Sequence, residues 1–438
     1  MTSTTIQSTS SSSSTTTSSS TSSSSTTTTT SSTSTTTTGC YSMFNNQTVY
    51  SVVSAPLSLV LADVNNDNKF DIVVANYGSN NIGVLLNSGN GIFSSQITYP
   101  VGSVPYSVAV GDMNRDNKVD IAVVNYGANT ISVLLNRGNG TFLSQVTYTA
   151  GSYAYAVAVA DVNNDNASDI VVANAGSSNV GVLLNKGNGS FFSEITYPVD
   201  SIPVSVQMGD VNNDNKIDII VVNYDSGTVS VLLNIGSGTF SSQTTYSVGS
   251  DPQSLAVGDV NNDNNIDIVV ANSGSSSVSV LLNRGNGTFL SQITYSTGTS
   301  PYSVVIGDMN GDNNQDIIVA NSGSNTTGVL LGTGNGTFLS QLSYSVGYRP
   351  AIPIERFKST DIMPTDKDTI NNLLNSFRDD QQGHIRHCEN IEKSFVLDFF
   401  PLDVNDYTEV EFHQTQTYIR SMDYLSFGEC KPMGLLLK

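Results

Sequence analysis

A nine-residue stretch rich in oxygen donors occurs six times in this chain, in the form Asp-x-Asn-x-Asp-Asn-x-x-Asp. The donors are Asp63, Asn65, Asp67 and Asp71 in the first copy and Asp112, Asn114, Asp116 and Asp120 in the second. Asp161, Asn163, Asp165 and Asp169 form the third set, and Asp210, Asn212, Asp214 and Asp218 the fourth. Asp259, Asn261, Asp263 and Asp267 follow in the fifth, and Asp308, Asn310, Asp312 and Asp316 in the sixth. Side-chain oxygens at positions 1, 3 and 5 converge when a chain wraps around a hard cation. A backbone carbonyl at position 7 can join them, and the carboxylate at position 9 can close the cage. Calcium accepts about six to eight oxygens in flexible geometry, whereas magnesium demands a tighter octahedron and keeps its waters. Zinc is disfavoured, because residues 44–351 contain neither His nor Cys. The expected cofactor is therefore Ca2+, one per repeat, at six sites.

The distribution of charge points the same way. The 438 residues carry 37 acidic and 17 basic side chains, a formal net charge of −20. Eighteen of the acids lie in the six loops and fifteen beyond residue 354. The four others are Glu194, Asp200, Asp225 and Asp251. Asp and Asn favour turns in general, but turn preference does not explain Asp at positions 1, 5 and 9 with Asn at 3 in every copy. Three carboxylates in nine residues repel one another unless something neutralises them. Position 6 is Asn in all six copies, Asn68 through Asn313. Asn is the non-glycine residue that most readily takes left-handed backbone geometry, so a sharp turn is expected there.

These loops must be held by β-structure. The marker Phe-x5-Tyr occurs as Phe44/Tyr50, Phe93/Tyr99, Phe142/Tyr148, Phe191/Tyr197, Phe240/Tyr246, Phe289/Tyr295 and Phe338/Tyr344, always 49 residues apart. A fixed period in this range signals a propeller, solenoid or array. Within the second unit, Ser107–Val110, Ile121–Val124, Ile131–Leu135 and Phe142–Tyr148 read as four short strands, with the loop Asp112–Asp120 between the first two. Asn139-Gly140 suits a tight turn before the fourth strand. Four antiparallel strands per repeat build a propeller blade, so the fold class is an all-β propeller. The phased Phe and Tyr read as core residues between blades; a sugar-binding platform is the alternative. Seven markers against six loops suggest a seven-bladed design, whose last blade is broken or replaced after residue 351.

The run 209–223, Gly-Asp-Val-Asn-Asn-Asp-Asn-Lys-Ile-Asp-Ile-Ile-Val-Val-Asn, resembles the FG-GAP/VCBS-type repeats, which look like the blades of the integrin α-chain propeller. The resemblance covers about 44–351. It implies calcium between the first two strands of each blade, and an extracellular adhesion or ligand-binding role. The usual Asp-Gly of the loop is Asp-Asn here, with Gly311 at position 4 setting the sixth copy apart, and a Gly-Ala-Pro element is absent.

Three regions follow. Residues 1–43 form a Ser/Thr-rich segment expected to be disordered, since it has nothing to bury; an O-glycosylated stalk is the functional alternative. Residues 44–351 form the propeller. Residues 352–438 have a different composition and no assignable fold. Asp366–Phe377 is expected as a short helix, and Ser394–Phe400 and Thr408–Tyr418 as strands. His384, His387 and Cys388 there are read as surface residues. Cys40, Cys388 and Cys430 exclude a disulfide scaffold. An acidic protein repels phosphate, so nucleic acid is not expected as a partner, and no transmembrane segment or ordinary signal peptide is visible. Asn46, Asn139, Asn188, Asn286, Asn325 and Asn335 sit in N-x-S/T sequons. Weak calcium sites suit an extracellular or cell-surface setting. The expectation is a monomeric, non-catalytic binding module with a protein or glycan ligand. The rival is a carbohydrate-active propeller, either a lectin or a polysaccharide hydrolase or lyase.

Overall fold

Asp120–Asn125 is buried at every position, and so is its counterpart in each of the other repeats. A strand apolar on both faces must be covered on both sides. The chain meets that need by stacking one sheet upon the next. The structure is a computed structural model, and it describes residues 47–53, 55–89, 92–345, 397–398 and 417–422. Six four-stranded antiparallel blades are formed, spanning 56–100, 105–149, 154–198, 203–247, 252–296 and 301–345. In the second, Pro105–Gly111 pairs with Asp120–Asn125, that strand with Thr130–Leu134, and that in turn with Val146–Thr149. The other blades repeat this up-and-down order, and the expected propeller architecture is found.

Cohesion comes from between the blades. Ile121 and Val123 pack with Val73, Ala75, Ile82 and Val84 of the preceding blade in one buried cluster. Matching clusters join the second blade to the third, the third to the fourth, the fourth to the fifth and the fifth to the sixth. Each fully buried Val, Ile or Leu contributes roughly 1.5–3 kcal/mol. The phased aromatics belong to this cement. Tyr148 meets Phe191 of the next blade edge-to-face at 5.2 Å, and Tyr197 meets Phe240 in the same way at 5.4 Å. The Phe rings are buried, so the core reading of this marker holds.

Six blades are described where the sequence suggested a seven-bladed design. The repeat text runs on to about Ala351, and the residues after Ser345 that would carry the inner strands of a seventh unit lie outside the described residues. Gln47–Val52 nevertheless occupies the outer-strand position ahead of the first blade. Tyr50 meets Phe93 edge-to-face at 5.3 Å, as the Tyr of each of the next five markers meets the following Phe. Gln47–Val52 pairs with Thr417–Met422, which pairs with Leu397–Asp398. Two strands from beyond residue 352 therefore overlap the stretches where strands were expected. The expected helix at 366–377, the Ser/Thr-rich segment, Phe44 and Asn46 lie outside the described residues.

Candidate metal centres

Each Asx-rich loop joins the first strand of a blade to the second at one end of the sheet, where Gly111 pairs with Asp120. Its shape is set by two left-handed residues. Position 6 has φ between 58° and 65° in all six copies, as its Asn suggested. Position 4 is left-handed too, with φ 60° at Asn66, 63° at Arg115 and 75° at Gly311. The second turn was not anticipated, because Arg115 carries none of the residue-type signal that Asn and Gly give.

The wrap brings positions 1, 3 and 5 together. In the first loop the amide of Asp67 donates to Oδ1 of Asp63 at 3.0 Å and to Oδ1 of Asn65 at 3.1 Å. The amide of Asn68 donates to Oδ2 of Asp63 at 2.7 Å. The amide of Lys69 donates to Oδ1 of Asp67 at 3.0 Å. The position-5 amide bonds positions 1 and 3 in the five other loops as well. The carbonyl and carboxylate oxygens of three side chains thus cluster in every copy.

Position 9 is placed differently. Asp71 is fully buried. Its Oδ2 accepts from the amide of Val64 at 3.0 Å, and its Oδ1 from the amide of Asn87 at the end of the third strand at 2.7 Å. Asp120, Asp169, Asp218, Asp267 and Asp316 do the same. The ninth carboxylate is therefore a strut between loop and sheet, a role the sequence did not reveal. Among the described residues, no three His, Cys, Asp or Glu side chains form a compact metal-binding group. Positions 1, 3 and 5 offer hard oxygens in a wrap suited to calcium; position 9 retains lone pairs but already serves two backbone amides.

Electrostatics separate these positions. Burial pushes the Asp71 carboxyl up to about 6, against the pull of its amide donors, and the carboxylates of Asp67 and Asp63 add to the rise. The equivalent Asp in every other repeat is raised to about 6 for the same reason. At position 5, desolvation works against ionisation of Asp67, but hydrogen bonds and charge from Lys69 hold its carboxyl below the usual range. Lys69 Nζ lies 3.0 Å from Asp67, Lys118 Nζ 2.8 Å from Asp116, and Lys216 Nζ 2.7 Å from Asp214. Arg115 of the second loop reaches Asp165 of the third at 2.8 Å. Position 7 is Asn265 in the fifth loop and Asn314 in the sixth, where the amides bond Asp263 and Asp312 without adding charge. The six loops are thus alike in backbone and unlike in local charge.

A second set of residues, also unread in the sequence, locks each loop to its neighbour. Asn136 Nδ2 donates to the carbonyl of Val64, position 2 of the preceding loop, at 2.9 Å, and to that of Val119 at 2.8 Å. Asn185, Asn234 and Asn283 repeat the pattern. The Leu-Leu-Asn that recurs in repeats one to five was the available signal. At the adjoining hairpins, Asn139 and Asn188 each accept from the hydroxyl two residues on, at 2.6 Å, so their sequon geometry also closes the turn.

Repeated four-stranded blades with an oxygen-rich wrap between the first and second strands define an Asx-loop β-propeller. The FG-GAP-like repeat profile matches residues 63–123, 112–172, 161–221, 210–270 and 259–319, together more than half of the chain, and the protein belongs to the FG-GAP-like repeat family. None of the curated proteins matches it in sequence. Among solved structures, the periplasmic gluconolactonase of Pseudomonas aeruginosa is similar at 14% identity, covering 68% of this chain and 86% of that one, with a TM-score of 0.53. A protein from Lactobacillus plantarum is similar at 15% identity, covering 68% and 88%, with a TM-score of 0.52. An Agrocybe aegerita lectin that recognises non-reducing terminal N-acetylglucosamine aligns at 20% identity, covering 66% and 80%, with a TM-score of 0.49. These likenesses show the fold alone.

Proposed function

We propose that the six loops each bind one calcium ion and that the propeller is a non-catalytic, extracellular binding or adhesion module. The observation that carries the reading is the convergence of position-1 and position-3 oxygens on the position-5 amide, six times over. Positions 1, 3 and 5 would supply side-chain ligands; position 9 would contribute through an oxygen that also holds the sheet. A bound calcium supplies positive charge at a point where carboxylates otherwise repel. Binding to the folded form alone raises stability by mass action. Affinity of about 10⁻⁴–10⁻³ M, the range of extracellular calcium modules, fits an extracellular setting. No helix among the described residues is long and apolar enough to cross a membrane.

The non-catalytic reading is supported by the acids outside the loops. Glu194 is bonded by Asn174 Nδ2 at 2.9 Å. Asp200 is bonded by Thr228 and Gln243, and Asp225 by Ser201. These neutral donors hold the carboxylates as structural acceptors. The test is a thermal melt of the full chain in EDTA and in millimolar calcium. A clear rise in Tm with calcium, absent with magnesium, is expected; equal Tm values contradict the proposal.

A further inference from the structure

The repeats are nearly identical at the loop end of the blades and diverge at the opposite end. There, where Pro105 pairs with Asn125 and Ala154 with Asn174, tyrosines gather on the first three blades. Tyr126 and Tyr153 stack with ring centroids 5.1 Å apart and planes at 28°. Tyr106 lies 5.3 Å from Tyr126 and 4.3 Å from Tyr155, and Tyr77 packs edge-on to Tyr106 at 6.2 Å. The hydroxyls of Tyr106 and Tyr155 are 2.9 Å apart, and Tyr302 of the sixth blade hydrogen-bonds with both.

This cluster is not a product of the repeat. The residues equivalent to Tyr106 and Tyr155 are Leu57, Val204 and Gln253 in three other blades, and Tyr153 is matched by Val104, Ile202, Asp251 and Ser300. Tyr153 leaves 54% of its surface exposed and sits at φ 50°, and Tyr77 and Tyr126 are partly buried; Tyr106 and Tyr155 behind them are largely enclosed, Tyr155 packing against the core between the fourth and fifth blades. The segments that build this end of the first three blades, 77–81, 102–106, 126–130, 150–155 and 175–179, hold no charged side chain. Their rim is Ser and Asn, with Ser103, Ser152, Asn80 and Asn129 close to the rings.

The geometry points to a binding site for a neutral oligosaccharide on this tyrosine face. Sugar rings present apolar C–H faces that lie flat on aromatic rings, and their hydroxyls need neutral donors and acceptors beside them. Stacked, partly exposed tyrosines rimmed by hydroxyls and amides supply both. An anionic ligand would find no cation on these segments, and the carboxylate nearest them, Glu194, is already engaged by Asn174 and the Gly151 amide. The site lies at the end of the blades away from the Asx loops and stands or falls independently of calcium.

The test is saturation-transfer NMR on the full chain with cellotetraose, chitotetraose, mannotetraose and xylotetraose, each in calcium and in EDTA. At least one should receive saturation from tyrosine ring protons. Tyr153→Ala should weaken that binding about tenfold, the loss of one good stacking contact. Tyr153→Phe should keep it. Phe192→Ala, at the hairpin end under Lys186, should leave it unchanged. Tyr153 is exposed, so its variants should fold; an unchanged far-UV spectrum and Tm verify that. Transfer to none of the four sugars overturns the proposal. So does binding that survives Tyr153→Ala, or saturation of choline in their place.

Discussion

Asn185 Nδ2 donates to the carbonyl of Met113, 72 residues earlier and one blade away, at 2.7 Å. Its second hydrogen goes to the carbonyl of Ser168 at 2.8 Å, and its own amide donates to Asp169 at 2.7 Å. One buried amide thus ties the second loop, the third loop and the third blade together. Asn185→Ala leaves two buried carbonyls without donors, and each lost partner of this kind costs about 1–3 kcal/mol. The expected outcome is a lowered urea midpoint with little change in slope. An unchanged midpoint would mean the tie is incidental.

The inter-blade aromatics should matter more. Phe191 is buried against Tyr148, and truncating a buried Phe to Ala costs about 3–5 kcal/mol. Phe191→Leu should recover much of that in an equilibrium unfolding series, because it keeps most of the volume. If the Ala and Leu variants melt together, the ring is not packed as described.

The buried position-9 aspartates set a pH dependence. In calcium-free buffer their carboxyls are raised by burial from 3.8 to about 6. The folded state therefore holds these protons more tightly than the unfolded chain does, and stability falls as pH rises from about 4 through 6. Calcium needs the ionised form, so its contribution grows over the same interval. Tm measured in EDTA should decline from pH 5 to 7 while Tm in calcium should not. Parallel curves would rule out the coupling.

Local charge should grade the loops. Lys118 neutralises Asp116 in the second loop, whereas Asp263 in the fifth is bonded only by neutral groups in the contacts described. A resident ammonium competes with an incoming dication, so Lys118→Ala should increase calcium affinity at that loop. Competition with a chromophoric calcium chelator measures it; a weaker or unaltered affinity would show that Lys118 plays no such part.

Much of the blade was legible because its signals are local. The 49-residue period and the apolar run Ile121–Val124 follow from strand geometry, and the blades form where they point; the fourth strand, read as Phe142–Tyr148, forms only at Val146–Thr149, with Phe142 in an isolated bridge to Asn136. The turn at Asn68 was legible from residue type, while the turn at Arg115 was not, since its φ of 63° is imposed by the loop as a whole. Asp71 reads in sequence as a fourth loop ligand; only the fold shows both its oxygens engaged, one by an amide of its own loop and one by an amide just past the third strand. Asn185 was hidden because its partner is 72 residues away. The tyrosine face was hidden because Tyr77, Tyr106, Tyr126 and Tyr153 fall at several phases of the repeat and meet only when neighbouring blades are stacked. Six blades are described, and the stretch that would test a seventh, where the repeat text runs on to about residue 351, lies outside the described residues.

The most direct test of the central claim is calcium stoichiometry on the full chain, by equilibrium dialysis with radioactive calcium at concentrations up to a few millimolar. Six ions per chain are expected, falling to five when Asp259 and Asp263 are both changed to Asn. No bound calcium at saturation, or a stoichiometry untouched by that double substitution, would contradict the account.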